Sequence, residues 1–289
     1  MNFECTICHN KEYQEQIACY DFIVTKEKFN IVSCKKCGLW QTFPYPPPDK
    51  ISKYYESKEY ISHSDKKETF FDKLYHLVRK YTIIQKLNLI KKYVPQGTIL
   101  DYGCGTGYFL EICKKNNFET FGVEINEIAR QKAINKNLFV KKSMDEYLHE
   151  NKKFDIITLW HVLEHLYEPD HILKKIYSSL KENAILILAL PNRKSYDALF
   201  YKEYWAGYDL PRHLFHFTKK DVLNLTKTQF KCRSILPMYF DSFYVSILSE
   251  KYKNKKYAFA KGLYRGMLSN LKAIKNQEYS SLIYVLQKN

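Results

Sequence analysis

The stretch Asp101-Tyr102-Gly103-Cys104-Gly105-Thr106-Gly107 separates a short apolar run, Thr98-Ile99-Leu100, from Tyr108-Phe109-Leu110-Glu111-Ile112-Cys113, which has the apolar spacing of a helix start. A strand that turns into a helix over three glycines marks a ligand-binding turn, because the backbone bends sharply there and a Cβ atom would keep a ligand out of contact distance. Glu124 stands 17 residues beyond Gly107 and closes a second strand-like run, Phe121-Gly122-Val123. A carboxylate in that place can accept both ribose hydroxyls of a nucleoside. The dinucleotide pattern G-x-G-x-x-G would need glycine at position 108, where this chain has Tyr108, and Asp101 disfavours a phosphate ligand.

With Asp101 before the loop and Glu124 at the next strand tip, the segment resembles the class I S-adenosylmethionine-dependent methyltransferases; Asp101, Gly103, Gly105, Gly107 and Glu124 match residue by residue. The resemblance implies a Rossmann-like α/β domain with a seven-stranded sheet and S-adenosylmethionine as cofactor. In that reading the loop holds the methionine part, Asp101 lies near its ammonium end and Glu124 takes the ribose. Cys104 in the loop, Ser143-Met144 beside a third strand within Val140 to Asp145, and Trp160 complete the expected cofactor set, with Asp145 as an alternative adenine partner.

Phe154-Asp155-Ile156-Ile157-Thr158-Leu159 reads as a buried fourth strand and runs into Trp160-His161-Val162-Leu163-Glu164-His165. Ligands of open α/β sheets lie at the carboxyl ends of the strands, so chemistry is expected here. A helix starting near Val162 would put His161, Glu164 and His165 on one face. Methyl transfer to a hydroxyl needs its proton removed, which a histidine oriented by Glu164 can do. The segment again resembles the methyltransferase family, whose ubiquinone-biosynthesis O-methyltransferases carry a Glu, Glu, His metal set at the corresponding positions; this chain departs from that set with His161 in place of the first Glu, which disfavours magnesium. The fifth strand, Ala184 to Asn192, is followed by Asp209-Leu210-Pro211-Arg212-His213-Leu214-Phe215-His216-Phe217-Thr218. There Arg212 can clamp an anionic or hydroxylated acceptor and His213 or His216 can act as base, while Thr218 is placed to cap the helix that follows.

Cys5-x-x-Cys8 and Cys34-x-x-Cys37, with Gly38 next, have the spacing of a four-thiolate zinc site. Strand-like Ile17 to Phe22 and Phe29 to Ser33 between them suit the hairpin of a zinc ribbon, in which the metal is structural. Pro44, Pro46, Pro47 and Pro48 then mark an extended connector, and Leu74, Leu77, Val78, Tyr81, Ile84, Leu87 and Ile90 follow at helical spacing, with Tyr54, Tyr55 and Tyr60 placed to line a substrate mouth. The division expected is a ribbon over 1–45, a connector and helical lid over 46–95, and the methyltransferase domain over 96–289. Cys232 to Met238 and Ser281 to Leu286 would pair antiparallel, around an acceptor-side insertion near 240–279.

The 289 residues and 45% apolar content suit a globular chain with one full core and a small second module. No stretch reads as a membrane span or secretory leader, and the cytoplasm is the expected location. The formal charge of +15 invites a nucleic-acid reading, but only six of the 46 basic residues are arginine and they do not cluster. The expected partner is a small acceptor, such as a sugar or anionic metabolite, methylated on oxygen. An RNA or protein methyltransferase and a non-catalytic cofactor-binding module are the alternatives.

Overall fold

In the computed structural model, which describes residues 2–56, 70–253 and 256–289 (side chains of 70–77 excepted), three short strands come first: β1 (Tyr13–Tyr20), β2 (Lys28–Cys34) and β3 (Trp40–Thr42). A long helix, α1 (Phe70–Tyr93), leads into β4 (Thr98–Tyr102), α2 (Tyr108–Lys114), β5 (Glu119–Val123), α3 (Glu127–Ile134) and β6 (Phe139–Lys141). Then follow α4 (Asp145–His149), β7 (Phe154–Trp160), α5 (Pro169–Ser179), β8 (Leu180–Pro191), α6 (Tyr196–Tyr201), β9 (Phe215–His216) and α7 (Lys219–Thr226). The chain closes with β10 (Phe230–Pro237), the helices α8 (Asp241–Lys253) and α9 (Ala258–Asn276), and β11 (Ser281–Lys288).

Seven strands form one sheet in the order β10-β11-β8-β7-β4-β5-β6. All pairs from β8 to β6 are parallel, and β11 runs antiparallel to both β8 and β10. Ile185 to Leu190 are each 5% exposed or less, because helices cover both faces of a parallel sheet and its central strands must be apolar throughout. The strand order reverses between β4 and β7, and a crevice opens where such neighbours diverge at their carboxyl ends. The glycine turn leaves β4 there, Glu124 leaves β5 and His161 leaves β7, so the fold alone brings the three motifs together.

Two details differ from expectation. The third strand lies earlier, at Phe139–Lys141, and Asp145 begins α4, with Glu146 accepting the N–H groups of Lys142 and Ser143. Among the described side chains of α1 only Leu87 and Ile90 are buried, whereas Tyr81 and Ile84 are exposed; Tyr60 and the side chains of Leu74 and Leu77 lie outside the described residues. Among the described residues no helix is long and apolar enough to cross a bilayer.

The ribbon strands do not stand alone. β3 pairs with β2 on one side and with β9 on the other, Trp40 opposite His216 and Gln41 opposite Phe215, so one sheet spans the boundary expected near 45. Thr42 adds two bonds, its N–H to the Leu214 carbonyl (3.0 Å) and its hydroxyl to that of His213 (2.7 Å). Arg212 completes the join. Its guanidinium, 1% exposed, donates to both oxygens of Asp209, to Asp21 at 3.1 Å and to the Tyr54 carbonyl at 2.8 Å. Arg212 was placed by sequence as an acceptor clamp; with these donors satisfied inside the protein, it brackets the ribbon to the domain instead.

Removing one partner of such a buried set leaves uncompensated charge, so Arg212→Ala should lose about 3–5 kcal/mol of stability in urea unfolding, with Arg212→Lys restoring little of it because the fork geometry is lost. Near-wild-type unfolding of Arg212→Ala would contradict this assignment.

Candidate active site

The three glycines of the turn have different reasons to be there. A Cβ on Gly103 would lie 2.6 Å from Val162 and one on Gly107 2.4 Å from Leu138, so both are packing positions. At Gly105 (φ +54) a Cβ would meet nothing within 4 Å, and it is this residue that leaves the backbone open to a ligand. The turn is fixed by the N–H groups of Gly103 and Cys104, both donating to the Val123 carbonyl (2.7 and 3.0 Å). Glu124 ties the two strand tips together, one carboxylate oxygen accepting from Gly105 N–H and the other from Asn126 N–H, each at 2.8 Å. Each oxygen keeps a second lone pair, as a carboxylate accepting two ribose hydroxyls requires.

Asp101 is buried at the end of β4 and accepts the Thr158 hydroxyl at 2.7 Å. Burial pushes its carboxyl up to about 7, against the pull of Thr158 and of the Lys86 ammonium. Lys86, on α1, lies 4.3 Å over the ring of Trp160, and Phe109 meets that ring edge-on. The Trp160 indole N–H is buried without a partner among the described residues. Met144 and Cys104, both expected to touch the cofactor, turn their side chains inward: Met144 is 1% exposed in the core and the Cys104 sulfur faces Gly122. Either can reach a ligand only through its backbone. Ile125, 78% exposed directly after Glu124, offers the apolar surface instead. Its signal in the sequence was an apolar residue following the strand-tip acid.

At the end of β7 the segment is a single 3-10 turn, Leu163–His165, and not the expected α-helix, because His161 takes a left-handed conformation (φ +57) that breaks the chain direction. Glu164 is 1% exposed, and among the described residues neither of its oxygens accepts a hydrogen bond. Three histidines surround it. His161 Nδ1 lies at an ion-pair distance of 3.4 Å without hydrogen-bond alignment, and its Nε2 is 3.1 Å from Asp241, the first residue of α8. Burial alone would lower the His161 pKa, but Asp241 and Glu164 outweigh it and raise the value to about 9, so the ring is an imidazolium at neutral pH.

His165 and His213 are held differently. His165 Nδ1 sits 3.0 Å from the Arg212 carbonyl, with the Tyr55 hydroxyl at 3.2 Å, and His213 Nδ1 sits 3.0 Å from the Gly207 carbonyl. A carbonyl only accepts, so each Nδ1 carries a proton, and in a neutral ring the lone pair is then on Nε2. Burial and then the neighbouring His213 push the His165 pKa down to about 4, which keeps it neutral. His213 Nε2 is 4.0 Å from Glu164, and one ligating atom each from Glu164, His165 and His213 lie within 4.8 Å of one another. His216 is occupied elsewhere, bonded to the Thr42 hydroxyl at 3.1 Å, and Thr218 caps α7 in a capping box with Asp221. Asp241, Lys86 and Ile125 were missed by sequence reasoning.

The four ribbon cysteines converge as well. Cys5 and Cys37 sulfurs are 3.6 Å apart, Cys8 and Cys34 sulfurs 3.4 Å, and all four lie within 4.8 Å of one another. That is too long for disulfides and close to the sulfur separation of about 3.8 Å in a tetrahedral site with zinc–sulfur bonds of about 2.3 Å.

A family model described as a methyltransferase domain matches residues 75–231, more than half of the chain. The ubiquinone biosynthesis O-methyltransferase of Pelagibacter ubique is 30% identical over 149 residues, which cover 45% of this chain and 62% of that protein. The enzyme of the same name from Glaesserella parasuis is 26% identical over 162 residues, covering 50% and 69%. The chain thus spans about three-fifths to two-thirds of the length of these relatives. Among solved structures, magnesium protoporphyrin IX methyltransferase from Synechocystis with bound SAH superposes with a TM-score of 0.56 at 14% identity, covering 84% of this chain and 100% of that one, a likeness of fold. The glycine turn, the acid at the second strand tip, the sheet order and the family match agree, and the chain belongs to the class I S-adenosylmethionine-dependent methyltransferases.

Proposed function

We propose that the chain methylates a hydroxyl oxygen of a small molecule, with the acceptor facing His165 and the four ribbon cysteines holding a structural zinc ion. The observation that carries this reading is the meeting of two groups at one end of the sheet: the open Gly105 turn with Glu124, and a buried carboxylate beside two histidines whose Nδ1 atoms face backbone carbonyls. The relatives named as O-methyltransferases support oxygen as the acceptor atom. Bound S-adenosylmethionine supplies an electrophilic methyl group on a sulfonium. The chain's part is to hold the cofactor, with Glu124 on the ribose, Asp101 and Lys86 at the charged methionyl end and Ile125 against the adenine, and to exclude water.

His165 takes the acceptor proton on Nε2. A histidine whose pKa is near 4 does so only as the oxygen attacks and its hydrogen becomes acidic, so proton transfer accompanies methyl transfer. Glu164 and the imidazolium of His161 position it. A second reading of the same cluster is a divalent ion on Glu164, His165 and His213. The buried carboxylate without a hydrogen-bond partner favours it, and a set with two nitrogens suits a transition metal better than magnesium.

His165→Gln should abolish transfer of labelled methyl groups to a metabolite extract while leaving S-adenosylmethionine affinity within about twofold, since the ring is remote from the ribose end. Unchanged turnover removes His165 as the base, and no labelled product from the wild type removes the enzymatic reading.

Metal analysis of the purified chain should find one zinc per chain, absent from Cys5→Ser/Cys8→Ser, with a lowered melting temperature because the ribbon braces the domain through β3 and Asp21. A second equivalent of metal that survives in that variant and disappears in His213→Gln establishes the divalent-ion reading. Wild-type protein without zinc refutes the structural metal.

A further inference from the structure

The helix α9 turns its small residues inward: Gly262, Gly266, Ser269 and Ala273 are buried, as are Ser242, Ser246 and Ser249 on α8. The backbones touch: a Cβ on Gly262 would come within 2.5 Å of the Ile247 Cα, and one on Gly266 within 2.7 Å of the Phe243 Cα, so the helices run antiparallel and close together. Phe243 and Ile247 of α8 lie against these glycines, whereas large apolar side chains of α9 point the other way. Leu263, Met267, Leu271 and Ile274, spaced at 4, 4 and 3 residues, form one stripe on the outer face of α9 and are 39%, 46%, 54% and 62% exposed.

A helix pair that folds for water buries its large apolar residues and shows its small and polar ones. The reverse arrangement, with small residues at the helix contact and an apolar outer face, is stable where the outer face does not meet bulk water. The charge around the stripe says what it meets. Between Lys251 and Gln277 the chain carries eight basic residues and no acidic one. Glu250, just before, is buried and bonded to the Tyr201 hydroxyl, so it does not offset them at the surface. An apolar stripe beside a run of basic residues with no acidic one among them, on a helix not long and apolar enough to span a bilayer, is the chemistry of a helix lying in a membrane interface.

We propose that the outer face of the α8–α9 hairpin docks flat on a bilayer surface rich in anionic lipid, the apolar stripe entering the headgroup boundary and the lysines meeting the lipid charges. A second copy of this chain is a poorer occupant, because a two-fold contact sets the same patch against itself and would bring the basic residues together. A nucleic acid would leave the stripe without an apolar partner. The proposal does not depend on the acceptor or on turnover.

Sedimentation of the full chain with vesicles of mixed phosphatidylglycerol and phosphatidylcholine, against phosphatidylcholine alone, tests it. Partitioning should favour the anionic vesicles by at least about tenfold and weaken markedly in high salt. Met267→Glu/Leu271→Glu, at exposed positions, should lower it by at least about tenfold while S-adenosylmethionine affinity stays that of the wild type. Should that variant fail to fold, the charge reversal Lys261→Glu/Lys275→Glu, which alters exposed lysines only, must reduce binding to the anionic vesicles alone. Equal partitioning to both vesicle types, binding unchanged by the substitutions, or a concentration-dependent dimer that Met267→Glu/Leu271→Glu dissolves would each overturn it, the last by assigning the face to self-association.

Discussion

The hydrogen bond from the Gly105 amide to the Glu124 carboxylate is the contact on which the account of this protein turns. It fixes the tip of β5 against the turn leaving β4, beside the point where the strand order reverses. The sterics of the turn allow little freedom around it: Gly103 and Gly107 are pressed against Val162 and Leu138, whereas Gly105 faces open space. On the proposed reading a nucleoside would be bounded by backbone on one side and by a carboxylate on the other, two groups already tied to each other by a hydrogen bond.

The same economy joins the N-terminal ribbon to the catalytic end. The Arg212 side chain is held by Asp21 in the turn after β1, and the Arg212 carbonyl accepts from His165 Nδ1 and so sets which nitrogen keeps the lone pair. β3 extends this link by pairing with β9 a few residues on. The cysteine ribbon is thus joined, through Arg212 and β3, to the loop that holds His165. On the other flank α8 begins at Asp241, whose carboxylate holds His161 as an imidazolium against Glu164. Two modules outside the core sheet thus reach the residues on either side of Glu164, the ribbon through Arg212 to His165 and α8 through Asp241 to His161.

Much of this was legible in the residues. The glycine turn, Glu124, the paired C-x-x-C knuckles and the buried strand leading to His161 are local patterns, and local geometry decides them. What was not legible depends on distance in the chain. Arg212 looked like an acceptor clamp because an arginine among histidines in a loop has that appearance, and only its burial between Asp209 and Asp21 shows otherwise. Met144 was placed near the adenine by position, but the early end of β6 turns it into the core. Asp241 and Lys86 reach the site from helices whose sequences carry no mark of it. The segment 240–279 read as an acceptor-side insertion, and its sequence does not show in which direction the apolar residues of α9 point.

The central claim is that Glu124 receives the ribose of S-adenosylmethionine beside the Gly105 turn. Calorimetric titration with S-adenosylhomocysteine and with its analogue lacking both ribose hydroxyls tests it directly. Hydrogen bonds to a charged group contribute about 1.5–3 kcal/mol, so the account predicts that the analogue binds at least about tenfold more weakly. Equal affinity for the two ligands would contradict it.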